Sequence, residues 1–184
     1  MASKLQLLQV TAANGLWAKV RAAWEKQYKE HHTPSEYPTT FLDHAEKICK
    51  EDGLDPKYGV YLVSGERNGV AAPPYEGLVH VNFKFPGTKN GEIRLVWARV
   101  APRYQFVEEP YRIAEIQAAF INGALHLAER HNSPVVKMFL NSPADHAFGR
   151  NFALFASNLP DMKFTASVRG SWLHIDKGGH GKRR

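Results

Sequence analysis

Between Trp17 and Tyr28 the apolar positions fall three or four apart, through Val20 and Trp24, so NGLWAKVRAAWEKQYKEHH predicts an amphipathic helix. HTPSEYP breaks it, and a second helix is expected through Phe41, Leu42, Ala45 and Ile48. EDGLDP, with Gly53 and Pro56, ends that helix. Ahead of both, LQLLQV (5–10) reads as a short strand. The period then drops to two. YGVYLV (58–63) and GLVHVNFKF (77–85) are rich in β-branched and aromatic residues, joined by a loop GERNGVAAPPYE, and Val79, Val81, Phe83 and Phe85 alternate. Asn90-Gly91 signals a turn into IRLVWARVA (93–101), which is apolar on both faces and so predicts a covered central strand.

Helical spacing returns through Ile113, Ile116, Phe120, Ala124 and Leu127, and ERHNSP stops the helix. VVKMFL (135–140) reads as a buried strand. In SPADHAFGRNFALFASN, Ser142 is the expected N-cap and Pro143 the first helical residue, with Ala144, Phe148, Phe152 and Phe155 expected inward. KFTASV and SWLHID read as two closing strands. The expected fold is α/β (α+β): a single domain over 1–176, order β-α-α-β-β-β-α-β-α-β-β around a mixed, twisted sheet, with 177–184 as a flexible basic tail.

Charge adds one feature to this picture. The net charge is +6, but Lys177, Lys182, Arg183 and Arg184 leave 20 basic against 18 acidic residues in the body. A basic tail offers contact with nucleic acid or another polyanion, although short basic termini are more often simply solvated. The opening MASKLQLLQV lacks the apolar stretch and cleavage pattern of a secretory leader, and no segment is apolar enough to span a bilayer, so a cytoplasmic protein is expected. Cys49 is the sole cysteine, which excludes an intrachain disulfide, and its place on an apolar helix face predicts packing.

Candidate chemistry is sparse. Nine histidines show no i, i+4 pair of the kind that binds zinc on a helix, so no metal is expected. Nucleophile-elbow, Walker and Rossmann patterns are missing from the sequence. His80, expected half-exposed beside Asn82 and Lys84, is a candidate general base, and Tyr104 a candidate acid. Glu76 and Glu92 read as surface residues flanking strands. Trp172 and His174 could stack bases, though aromatics on strands more often border a sheet.

The element order, together with LVWARVAPRYQ and VVKMFLNSPADHAFGRNF, resembles the GNAT (Gcn5-related N-acetyltransferase) superfamily over about residues 5 to 176. The resemblance implies an acetyl-CoA site, with Val100 gripping the pantetheine arm, Gln105 opening the pyrophosphate loop and Asn141 lining the cleft. Asn141 and Ala144 match the family's Asn and Ala; the tyrosine that commonly protonates the thiolate falls on Phe148, which has no proton to give. The family's loop is Gln or Arg, two residues, Gly, one residue, then Gly or Ala. This chain reads Gln105-Phe-Val-Glu-Glu-Pro110. Pro110 removes a donor and Glu108 and Glu109 repel a diphosphate. Arg103 and Arg112 remain as phosphate contacts if the loop folds differently.

Two functions are therefore expected in competition. One is a GNAT-fold protein with a degenerate acyl-CoA site, weak or absent N-acetyltransferase activity, and a role as a protein-binding or assembly module, a use the resemblance associates with bacteriophage proteins. The other is an active, atypical acetyl-CoA-dependent N-acetyltransferase acting on an amine. A protein partner or amine acceptor and no membrane association complete the expectation, and the antiparallel closing strands permit a dimer without requiring one.

Overall fold

The computed structural model describes residues 5–30, 39–50, 57–67, 70–85, 87–106, 108–160 and 162–177. The element order is β1 (Gln6–Val10), α1 (Leu16–Glu30), α2 (Thr39–Lys50), β2 (Tyr58–Arg67), β3 (Val70–Lys84) and β4 (Glu92–Val100). A 3-10 turn (Pro102–Gln105) leads to α3 (Pro110–Arg130), β5 (Val135–Phe139), α4 (Pro143–Asn158), β6 (Thr165–Arg169) and β7 (Trp172–Asp176). The strands form one seven-stranded mixed sheet in the order β1-β2-β3-β4-β5-β7-β6. β4 and β5 are parallel, while β1–β2, β5–β7 and β6–β7 are antiparallel. This is the α/β class and the element order that the hydrophobic periods predicted. The breaks HTPSEYP and EDGLDP lie outside the described residues, as do 178–184.

Contacts group the chain into two compact units. The first takes Met1–Val81 with Trp97–Gly123, the second Asn82–Val96 with Ala124–Arg184. In the first unit, the predicted stripe of α1 is the buried one: Leu16, Trp17, Val20, Trp24 and Tyr28. Trp24 is fully enclosed, and its indole N–H donates to the Tyr75 carbonyl at 3.0 Å, which satisfies the one polar atom the ring buries. Phe41, Leu42, Ala45 and Cys49 are the inward positions of α2, so Cys49 packs as expected. Ile116 and Phe120 of α3 lie over Gly77 of β3, where a Cβ would come within 2.6 Å of the Phe120 ring and 3.1 Å of the Arg99 carbonyl. That strand must present glycine for α3 to approach so closely.

The region read as the loop GERNGVAAPPYE is instead mostly strand: β2 continues to Arg67 and β3 begins at Val70. Its prolines and glycines argued for a loop, yet the ends extend as neighbouring strands of the sheet, and Ser64 Oγ–H donates to the Ala72 carbonyl at 2.6 Å. Ladder pairing thus overrode local propensity.

In the second unit, Ile93, Leu95, Val136, Met138, Leu173 and Ile175 are fully buried and form the core of the sheet. β4 is less covered than the apolar residues on both its faces suggested, since Val96 is exposed and Trp97 half-buried. The expected cap of α4 is present: Ser142 Oγ accepts from the Asp145 N–H at 3.1 Å, and the Asp145 carboxylate accepts from the Ser142 N–H at 3.0 Å. The inward face of α4 differs from expectation. Gly149 and Ala156 are its buried residues, whereas Ala144 is exposed and Phe155 is 58 % exposed. The helix lies so close to Leu140 and Val168 that only small residues fit beneath it, and the phenyl rings flank the contact line. Phe152 stacks on Phe164 with ring centroids 6.0 Å apart.

Candidate functional site

The loop after β4 is fixed by its neighbours within the first unit. The Ala101 N–H donates to the Glu76 carbonyl at 2.8 Å, and Pro102 opens the 3-10 turn. Gln27 of α1 accepts the Arg103 N–H at 3.1 Å, and the Gln105 side chain bonds the Tyr28 phenol. The Glu109 carbonyl accepts the first intrahelical bond of α3, from the Ile113 N–H at 3.0 Å. Glu109 therefore stands at the cap and Pro110 at the first helical position, an ordinary acidic helix start.

At the centre of this loop lies a residue that the sequence placed on the surface. Glu76 is only 1 % exposed, inside β3, because the strand runs back through it and puts 76, 78 and 80 on one side. One carboxylate oxygen accepts from Arg103 Nη2 at 2.8 Å and from the Tyr104 hydroxyl at 2.6 Å. The other accepts from Arg112 Nη2 at 2.7 Å. Arg112 also binds Glu115 at 2.7 Å. Burial alone would push both guanidinium pKa values down, but the hydrogen bonds and the Glu76 charge outweigh it and push them up. The Tyr104 phenol is raised, first by burial and then by its bond to Glu76. Tyr104, a candidate acid in the sequence, thus spends its proton on a structural bond.

An open hollow of about 710 Å³ adjoins this cluster, bordered by Tyr104, Gln105, Glu108, Glu109, Pro110 and Ile113. A CoA pyrophosphate needs clustered N–H donors and free positive charge. Among the described residues the hollow is poor in both: Pro110 has no N–H, Glu108 and Glu109 are exposed carboxylates, and Arg103 and Arg112 are committed to Glu76. The residues present do not fit the group in its usual cradle.

His80 departs from expectation as well. It is 5 % exposed rather than half-exposed, stacked on Phe41 with centroids 4.8 Å apart and edge-on to Trp97 at 5.4 Å. Its ring lies 5.1 Å from that of His44. Burial first, and the nearby His44 second, lower its pKa to about 3. An imidazole so reluctant to hold a proton is a poor base for an ammonium acceptor. Its Nε2 has no hydrogen-bond partner among the described residues.

The remaining expected residues are dispersed. Val100 ends β4 half-buried, and Gln105 is exposed. Asn141, in the second unit, is exposed, and its N–H donates to Asp145 at 3.1 Å as part of the α4 cap. Phe148 lies half-buried, 6.1 Å from the Phe152 ring. Among the described residues no group of three or more His, Cys, Asp or Glu could hold a metal ion, and no helix is long and apolar enough to cross a membrane. The Glu76 cluster is what sequence reading missed. The available signal was the parity of GLVHVNFKF extended one residue back, which sets Glu76 in phase with the buried Leu78.

No family model matches the chain, and no curated protein matches it. Solved structures do. A chimera of Vibrio cholerae spermidine N-acetyltransferase SpeG and hSSAT is 13% identical, with a TM-score of 0.53 over 95% of this chain and 96% of that one. Arabidopsis thaliana Naa50 in complex with bisubstrate analogue CoA-Ac-MVNAL is 10% identical, with a TM-score of 0.40 over 94% and 96%. With the element order and mixed sheet, the first likeness defines the class: this chain has the GNAT acetyltransferase fold.

Proposed function

We infer that this GNAT-fold protein has a degenerate acyl-CoA site, with weak or absent N-acetyltransferase activity, and serves as a binding or assembly module. The observation that carries the reading is Glu76: a buried carboxylate that takes up Arg103 of the loop and Arg112 of α3, beside a helix start flanked by the exposed carboxylates of Glu108 and Glu109. Phe148 in place of a proton donor, and His80 held neutral, support it.

A second reading keeps an active, atypical acetyl-CoA-dependent N-acetyltransferase that acts on an amine. Its support is the fold likeness to a spermidine N-acetyltransferase chimera along 95% of the chain. Such an enzyme would have to seat its cofactor without the usual pyrophosphate cradle.

Calorimetric titration and thermal shift with acetyl-CoA and CoA separate the two. The degenerate site predicts no heat and an unchanged melting temperature at millimolar ligand. A micromolar dissociation constant would raise the melting temperature by linkage and establish the second reading. If binding is seen, Glu108→Gly with Pro110→Gly should strengthen it, because a like charge is removed and a donor restored.

A further inference from the structure

The strands of the second unit bring together residues that lie far apart in sequence. Arg94 of β4 stands opposite Lys137 of β5, Lys137 opposite His174 of β7, and His174 opposite Ser167 of β6. The next row is Phe139, Trp172 and Arg169. Residues two apart on a strand share a face, so both rows lie on the same side of the sheet. The opposite side carries Val136, Met138, Leu173 and Ile175, all buried, and α4 packs there through Gly149 against Leu140 and Val168. On the polar side Arg169 is exposed, and Phe139, Trp172, His174 and Lys137 are partly so.

The face combines an aromatic pair with cations. Phe139 and Trp172 meet edge-on with centroids 5.1 Å apart. Glu92 binds Lys137 at 2.8 Å and Arg94 at 2.7 Å, which offsets part of the positive charge, and Asp176 sits at the end of the same face. The balance at the centre is still positive. The His174 pKa is lowered by burial and then by Lys137 and Arg169, against a smaller opposing pull from Glu92. The chain as a whole carries +6, and its sequence continues from β7 into a run that ends Lys182-Arg183-Arg184.

We propose that this face binds single-stranded nucleic acid, with bases stacked on Trp172 and Phe139 and phosphates against Arg169 and Lys137. Unstacked bases present a π-face to an aromatic on an open sheet, while cations follow the backbone with little regard for sequence. An acidic protein would use the cations and leave the two rings without a stacking partner, so the aromatic pair favours nucleic acid. The proposal is independent of acyl-CoA binding.

The test is fluorescence anisotropy of the full chain with a labelled twelve-nucleotide oligo(dT) at low salt, alongside a duplex of equal length and heparin. Micromolar binding of the single strand, with quenching of tryptophan emission, is expected. Trp172→Ala and Arg169→Ala should each weaken it about tenfold, a loss within the range measured for stacked bases. Trp172→Phe keeps a stacking ring and should bind nearly as the parent does. Circular dichroism of each variant shows whether it is folded, so the Phe variant keeps the test decisive if the Ala variant is not. With two to four phosphate contacts, the logarithm of affinity should fall with that of salt at a slope of about −0.7 per contact. No binding at low salt, equal affinity for the duplex or heparin, or binding that survives Trp172→Ala but vanishes on removal of residues 178–184 would overturn it.

Discussion

Glu76 shows how one side chain redirects a site. A buried carboxylate is stable when its charge is matched and its oxygens are bonded, and here two guanidiniums and a phenol supply the partners. The same bonds withdraw Arg103 and Arg112 from any anionic ligand. Glu76→Gln keeps the shape and removes the charge, which takes the bonded counter-ion from partly buried Arg103 and leaves Arg112 only the exposed Glu115. Its stability in urea denaturation should fall by about 3 kcal/mol, the scale for breaking an enclosed pair from one side, moderated by the arginines' partial exposure. A change below about 0.5 kcal/mol would mean that the cluster adds no net stability. Only the phase of Glu76 with Leu78 was there to be read in the sequence, and its partners were not. Glu76 looked like a strand-flanking surface acid, because a sequence gives the phase of a strand only once its ends are known.

Elements follow local rules where their ends carry local signals. α4 is the clearest case: Ser142, Pro143 and Asp145 specify its start, and the capping box forms as the residue types require. Ser142→Ala should cost about 1 kcal/mol, read as a shift of the urea midpoint at constant m-value. An unchanged midpoint would show that the Asp145 carboxylate holds the turn alone. Which face of α4 turns inward was not legible. Three phenylalanines outweighed one glycine in the hydrophobic pattern, yet close approach to Leu140 and Val168 selected Gly149 and Ala156 for the contact. β2 and β3 make a related point, since their proline- and glycine-bearing ends are extended as neighbouring strands of the sheet.

At the scale of the molecule, stability should depend on pH through buried His80 and half-buried His174. His80 binds a proton at 6.5 when unfolded and at about 3 when folded. Between those values the unfolded chain takes up a proton that the native state refuses. Stability is therefore full above about pH 6.5 and is lost as pH falls towards 3, by up to roughly 1.4 kcal/mol per unit. His174, lowered in the same direction, adds a smaller slope over the upper part of that range. Melting temperatures between pH 7.5 and 4 should decline, and His80→Phe, which keeps the stack on Phe41, should flatten much of that decline. An identical profile in the variant would place the acid sensitivity elsewhere.

The alternation of apolar residues by itself determined the element order and the α/β class, because helix and strand impose fixed periods on whichever face meets the core. Local signals also determined the start of α3, where Pro110 takes the first helical position directly after Glu108 and Glu109. The tertiary structure alone decided which charges meet. Glu76 reaches Arg103 and Arg112 across 27 and 36 residues, and Arg94, Lys137, His174 and Ser167 fall into one row through strand register. Such pairings depend on how strands are ordered and aligned, and one residue of slip would turn each side chain to the other face.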